Sequence, residues 1–261
     1  MTFQERHPMK ILNSILESIK EDAPVEDVRR GLNWTAVVSR RVGLASSMAE
    51  GTGCNHSRAE SKEGSFTEMT ALELAHYCLD NNITRATLGL AAINSLLHVD
   101  PNCYAGVDGL KIAEDMGRGK NISVIGHFPN MESLQGVARN FWVIEKRPGP
   151  EDFPEEQGDV LLPQSDIVVI SSTTLMNHTL PGILERCRKD SMKMLLGPST
   201  PFSEVLYDYG IDILAGSVVT EKDVVLRSVS EGASFMQLKK KGGIRFVTLV
   251  RDYDDIVRRL A

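Results

Sequence analysis

The apolar positions of this chain change their spacing partway along it. Met9, Ile11, Leu12, Ile15, Leu16 and Ile19 recur three and four apart, the interval of one helix face, and Pro24 follows soon after, so a first helix is predicted there. Asn33–Ser39 ("NWTAVVS") and Val42–Met48 ("VGLASSM") are short runs of strand-type residues separated by Arg40 and Arg41, and they read as a hairpin. Glu50–Phe66 has no apolar period and reads as a loop of the length that is usually functional in a compact domain. Thr70 and Glu73 form a capping-box pattern, with Met69 and Leu74 placed as a hydrophobic staple, so a helix starts there. Arg85–Leu97 predicts another, rich in Ala and Leu.

After Pro101–Gly109, whose Pro, Asn and Gly residues suit a boundary, the rhythm becomes an alternation of strands and helices. Apolar runs stand at Ile122–Ile125, Phe141–Ile144, Ile167–Ile170, Met194–Leu196, Ile213–Leu214 and Phe246–Val250. Helical patterns stand at Met131–Arg139, Pro181–Lys189, Ser203–Tyr209 and Asp223–Lys239. Short apolar strands separated by helices predict a parallel sheet covered on both faces. The expected architecture is therefore α/β: a smaller α+β domain over residues 1–107, then a Rossmann-like parallel-sheet domain over residues 108–261.

Composition narrows the function classes. A chain of 261 residues with net charge −6 and 42% apolar residues has enough material for one large or two ordinary cores. The interspersed basic residues give no footprint for nucleic acid. No run approaches the ~20 apolar residues of a membrane span, and Met1–Lys10 lacks the apolar core of a signal peptide, so a cytoplasmic protein without a membrane partner is expected. Cys54, Cys78, Cys103 and Cys187 include no C-x-x-C pair, which argues against a zinc ribbon, a redox dithiol or a disulfide framework. The oligomeric state is open, a homo-oligomer included.

Candidate chemistry gathers where a parallel sheet binds ligands, beyond the carboxyl ends of its strands. The predicted strands are followed by "GHFPNM" (Gly126–Met131), "EKRPGPE" (Glu145–Glu151), "SSTTLMNHT" (Ser171–Thr179), "GPSTP" (Gly197–Pro201) and "AGSVVT" (Ala215–Thr220). Any one is ordinary turn chemistry; Thr200 as helix N-cap with Pro201 after it, for example, is a sufficient structural explanation. Several on one rim favour a polar or anionic ligand, because helix N-termini present unpaired N–H groups there. The first loop carries only Gly126 where a dinucleotide fingerprint needs three glycines. Glu145, about 20 residues further on, stands where such folds hold a ribose hydroxyl.

His127 and His178 fall on the same rim as candidate acid/base groups or metal ligands. Cys54 and His56 have a spacing suited to a soft metal ion but need a further ligand from elsewhere.

The stretches "GLAAINSLL" (Gly89–Leu97), "GHFP" (Gly126–Pro129), "SSTTLMNHTL" (Ser171–Leu180), "GPSTPFS" (Gly197–Ser203) and "YGIDILAGSVV" (Tyr209–Val219) resemble a bacterial and archaeal family labelled heavy-metal chelation proteins. The resemblance covers nearly the whole chain. It implies an N-terminal domain similar to that of enolases, a Rossmann-like second domain and a site in the cleft between them. It carries no enolase mechanism, since the metal-binding carboxylates of enolases belong to a barrel this chain is too short to contain. By position the family's rim motifs fall on Gly126, His127, Phe128 and Pro129, on Ser172, Thr173 and Asn177, and on Gly197, Pro198, Ser199 and Thr200, with His178 outside the motif. In the Gly89–Asn94 stretch, Gly89, Ala91 and Ala92 allow close helix approach, and Asn94 is expected to face the cleft.

The leading expectation is a cleft that binds a small polar or anionic molecule, a transition-metal ion or a metal complex, with the Glu50–Phe66 loop closing over it. The alternative is a transferase or lyase that uses a nucleotide-type cofactor in the same cleft through Gly126 and Glu145, with His127 as acid or base. A third reading is a sensing module whose domains close on the ligand without turning it over.

Overall fold

A computed structural model describes residues 9–48, 62–100 and 108–261. The expected boundary at 101–107, most of the Glu50–Phe66 loop, and Cys54 and His56 lie outside the described residues. Among the described residues no helix is long and apolar enough to cross a membrane.

Helix α1 (Lys10–Ser18) buries Ile11, Leu12, Ile15 and Leu16, the face that the spacing requires. Strands β1 (Asp27–Arg30), β2 (Trp34–Val38) and β3 (Val42–Ser46) form an antiparallel sheet in that order. The hairpin is where the sequence puts it; β1 ("DVRR") has no apolar alternation and is recruited by its pairing with β2. Helix α2 (Ala71–Ala75) carries the capping box: the Glu73 amide donates to Thr70 Oγ1 and the Thr70 amide to Glu73 Oε2.

Helix α3 (Ile83–Leu96) is buried on nearly every side, as an all-round apolar helix must be. The small sheet is covered on both faces, which is why all five residues of β2 are buried. Val37 and Ala45 face a core shared with α1 and α3, whereas Trp34, Ala36, Val38 and Leu44 pack against Val225, Val229 and Leu238 from the C-terminal part of the chain.

From residue 108 the chain runs α4 (Gly109–Met116), β4 (Asn121–Ile125), α5 (Glu132–Val137), β5 (Asn140–Glu145), β6 (Phe153–Pro154), α6 (Gly158–Leu161) and β7 (Ile167–Ser171). It continues through α7 (Thr173–Met176), α8 (Leu180–Arg186), β8 (Met192–Leu196), α9 (Val205–Asp208) and β9 (Ile213–Val219). Helices α10 (Lys222–Ser230) and α11 (Phe235–Lys241), strand β10 (Ile244–Val250) and helix α12 (Tyr253–Leu260) complete it.

The large sheet has the order β10-β9-β8-β7-β4-β5-β6. Numbering β4 to β9 from one turns this into 3-2-1-4-5-6, the Rossmann order, with the reversal between β4 and β7. Ile122, Ile167 and Ile170 are fully buried in its interior.

Four expectations change. β10 runs antiparallel to β9, with Ile244 opposite Val219, because α10 and α11 return the chain to the end of the sheet it left instead of crossing over. The Asp223–Lys239 helix is two: Gly232, at φ 72°, ends the first, and Ser234 with Gln237 caps the second. "AGSVVT" is no rim loop, since β9 continues to Val219. Finally, Thr200 caps no helix: α9 begins five residues later, and the Thr200 hydroxyl donates to the Ala215 carbonyl.

Candidate functional site

The rim at the strand reversal is built by backbone hydrogen bonds from one strand end to the next. The Gly126 amide donates to the Ile144 carbonyl, Ser172 to Leu196, and Gly197 to Ala215. Two glycines permit this closeness. Gly126 has φ 98°, and a Cβ there would lie 3.1 Å from Ser171 Cβ. Gly197 has φ 134°, and a Cβ there would lie 2.7 Å from Ser172 Oγ. The glycines therefore serve loop-to-loop packing first, leaving the hydroxyls of Ser171 and Thr173 on the inner surface, hydrogen-bonded to each other at 2.8 Å.

Two cavities flank the reversal. The larger, about 610 Å³, lies on the β4–β5 side and is lined by Gly126, Glu145, Lys146, Arg147, Glu155, Thr174, Asn177 and Arg186, with Met48 and Ile83 supplied by the N-terminal part. The smaller, about 310 Å³, lies over β7 to β10 and includes Phe128, Pro129, Ser172, Gly197, Pro198, Phe235 and Phe246 in its wall. His127, Ser171 and Thr173 belong to both walls.

His127 stands between two carboxylates. Its Nδ1 is 3.0 Å from Glu145 Oε1 and its Nε2 is 3.1 Å from Asp152 Oδ1. Asp152 is largely buried and held by the Gly149 amide at 2.7 Å. The second Glu145 oxygen accepts from the Lys146 amide, which leaves each oxygen of this cavity-lining carboxylate one further acceptor site.

The hydrogen bond to Glu145, and then the charges of Asp152 and Glu145, raise the His127 pKa above the ordinary 6.5 despite some burial. Because the folded value lies above the unfolded one, the associated stability is present below pH 6.5 and is lost as pH rises through the raised value. The side chain is 53% exposed, so that stability contribution is small. An NMR titration should place His127 above the ordinary imidazole range, and Glu145→Gln should bring it back down. An unshifted His127 in the wild type would contradict this geometry.

The remaining sequence-derived candidates separate. Thr173 and Asn177 line the larger cavity, with Asn177 Oδ1 accepting from the Thr179 amide and hydroxyl. Asn94, Ser199 and Thr200 are absent from both walls, but Asn94 and Thr200 line a third cavity, about 250 Å³, formed by residues of both parts of the chain. Asn94 Nδ2 donates to the carbonyls of Leu44 and Ser199, and Ser199 Oγ accepts from the Ser46 amide. Asn94 and Ser199 thereby join the two parts of the chain. His178, at φ 58°, likewise bonds the Cys78 carbonyl through Nε2 at 2.8 Å.

Lys146 and Arg147, within the predicted Glu145–Glu151 rim loop, and Arg186 line the larger cavity, and Asp152 reaches it through His127; none of the four carries a motif of its own. The "EKR" at a strand end was the available signal for the first two, whereas Arg186 and Asp152 reach the site only through tertiary contacts.

Among the described residues the donor set does not suit a metal held directly by side chains. No group of three or more His, Cys, Asp and Glu side chains converges on a metal position among the described residues. His127 has both ring nitrogens engaged by carboxylates, whereas a metal needs one bare nitrogen. Burial pushes the thiols of Cys78 and Cys187 up to about 12 and about 11, away from the thiolate a soft metal would bind.

The strand order, the crevice at its reversal and the small antiparallel sheet define an α/β protein of Rossmann-like type. Residues 108–248 match the DUF364 family model and residues 12–97 the DUF4213 model, both described as "Putative heavy-metal chelation". The chain belongs to the DUF364 family.

A crystal structure of a DUF364 protein of unknown function from Desulfitobacterium hafniense superposes with a TM-score of 0.77 at 25% identity, covering 93% of this chain and 98% of that one. Another, from Pyrococcus horikoshii, gives 0.77 at 21% identity over 93% and 99%, and speaks for the fold alone. An uncharacterized protein of Methanocaldococcus jannaschii is 29% identical over 168 residues, 60% of this chain; the match spans 64% of the length of that curated relative.

Proposed function

We propose that this chain binds a small anionic molecule in the larger cavity, including a metal ion already wrapped by an anionic chelator. The observation that carries this reading is the basic side of the wall: Lys146 and Arg147 are exposed and form no ion pair among the described residues, beside Arg186, which is shared with Asp159 at 3.3 Å, and His127, which is held between Glu145 and Asp152. Hydroxyl and amide groups of Ser171, Thr173, Thr174, Asn177 and Thr179 supply neutral partners beside them. A cavity so lined recognises carboxylate or phosphate oxygens by charge-assisted hydrogen bonds. It also reconciles a heavy-metal description with a wall that lacks a converging ligand set, because the chelator's charge, and not the metal, would be what the protein reads. Met48 and Ile83 in the same wall support reading the cavity as a cleft between the two parts of the chain.

Calorimetry with citrate, inorganic phosphate and nickel citrate tests this. Arg147 is exposed and has no acidic partner within ion-pair distance among the described residues, so Arg147→Glu should leave folding intact. It should weaken citrate and phosphate binding by at least tenfold, the order expected for losing a charged hydrogen-bond donor. Absence of anion binding by the wild type, or equal affinity in the variant, would overturn the proposal. The nucleotide-cofactor alternative has one feature in its favour, the position of the cavity beside the strand reversal; native mass spectrometry of freshly purified protein with no retained nucleotide mass would count against it.

A further inference from the structure

The smaller cavity carries aromatic side chains that its neighbour lacks, beside polar groups such as Asp108, Asn130, Lys239 and Thr248. Phe128 follows β4, Phe235 and Met236 begin α11, Phe246 sits on β10 and Trp34 begins β2, and together they make an aromatic and thioether wall. The rings form a chain: Trp34 and Phe235 have centroids 6.2 Å apart, and Phe235 and Phe246 5.6 Å apart. Met236 is 60% exposed and Phe246 39% exposed, so both offer apolar surface to the cavity. A volume of about 310 Å³ suits a compact ring system and lies at the lower end of ordinary ligand pockets.

We infer that the ligand is bipartite: an anionic group in the larger cavity, joined across Ser171 and Thr173 to a flat aromatic or heteroaromatic group held among Phe128, Phe235, Met236 and Phe246. The common wall of His127, Ser171 and Thr173 is the reason to place both groups on one molecule. Flat rings gain from offset or edge contacts with the wall rings, and apolar area leaves water as they enter. An aliphatic group of the same volume would gain the area alone. The ring chain therefore favours a π-system.

This inference rests on the anion reading above, and its test separates the two. Calorimetry compares 1-naphthyl phosphate with inorganic phosphate on wild type, Met236→Glu, Phe246→Ala and Arg147→Glu, each checked for an unchanged melting temperature. The wild type should bind 1-naphthyl phosphate at least tenfold more tightly than inorganic phosphate. Met236→Glu and Phe246→Ala should remove that advantage, Phe246→Ala without altering phosphate affinity, and Arg147→Glu should weaken both ligands.

Equal wild-type affinity for the two ligands would overturn the aromatic subsite while leaving the anion reading intact. So would an advantage that survives both Met236→Glu and Phe246→Ala, since the ring would then sit elsewhere. Binding of either ligand that ignores Arg147→Glu would overturn the anion reading and the bipartite ligand with it. Should Phe246→Ala lose stability, Met236→Glu on its exposed side chain decides alone.

Discussion

Gly89→Ala should be among the most damaging single-methyl additions this fold can receive. A Cβ at Gly89 would lie 2.0 Å from the Cys78 nitrogen and 2.6 Å from the Tyr77 carbonyl carbon, both backbone atoms that cannot rotate away. Helix α3 has nowhere to retreat, because on another side a Cβ at Gly43 would meet the Ala91 carbonyl at 2.0 Å. Overpacking of a core ordinarily costs about 1–3 kcal/mol, and a clash with backbone on a helix clamped from two sides should exceed that. On a total stability of about 5–15 kcal/mol this is a large fraction. The control is Gly136→Ala in α5, where a Cβ meets nothing within 4 Å and alanine should be neutral or stabilising. Urea melts of the three proteins check it, and a Gly89→Ala midpoint equal to wild type would show that the helices do not approach as described.

Gly197→Ala should separate site integrity from fold integrity. Its φ of 134° lies where side chains other than glycine are strained, and the added methyl would lie 2.7 Å from Ser172 Oγ. Strain of this kind costs about 1–3 kcal/mol, which the protein should survive with a lowered melting temperature. The relief available is to push the Ser172 turn away from the Gly197 loop, and that turn carries Ser171 and Thr173, part of the wall of both cavities. Phosphate and 1-naphthyl phosphate affinity should therefore fall by at least tenfold in a protein that circular dichroism still reports as folded. Undiminished affinity would mean that the rim tolerates displacement and that the ligand does not depend on these hydroxyls.

Both predictions start from glycines the sequence singles out, yet they concern different kinds of information. Gly89, Ala91 and Ala92 on a predicted helix already imply close approach, because small residues in an apolar helix do little else; what they approach is not in the pattern. Gly197 reads equally well as turn chemistry or as a ligand contact. Only the measured 2.7 Å to Ser172 shows that its lack of a side chain serves a neighbouring loop.

The basic side of the cavity shows the same division. Lys146 and Arg147 follow a recognisable strand, but Arg186 belongs to a helix end some 40 positions later, and local patterns carry no record of that meeting.

By itself the sequence determined the helices with clean apolar faces, the hairpin, the capping box at Thr70, the alternation that makes a Rossmann-like sheet, and the rim as the place for polar loops. These follow from periodicity and turn chemistry, which act over a few residues. The tertiary structure alone decided that β10 runs antiparallel, that Glu145 and Asp152 flank His127, and that Asn94 and Ser199 tie the two parts together. It also decided that the small sheet lies between the α1–α3 core and α10–α11. Each of these depends on which distant surfaces meet, a choice made by burial and polar satisfaction summed over the whole chain, and no short window of sequence contains that sum.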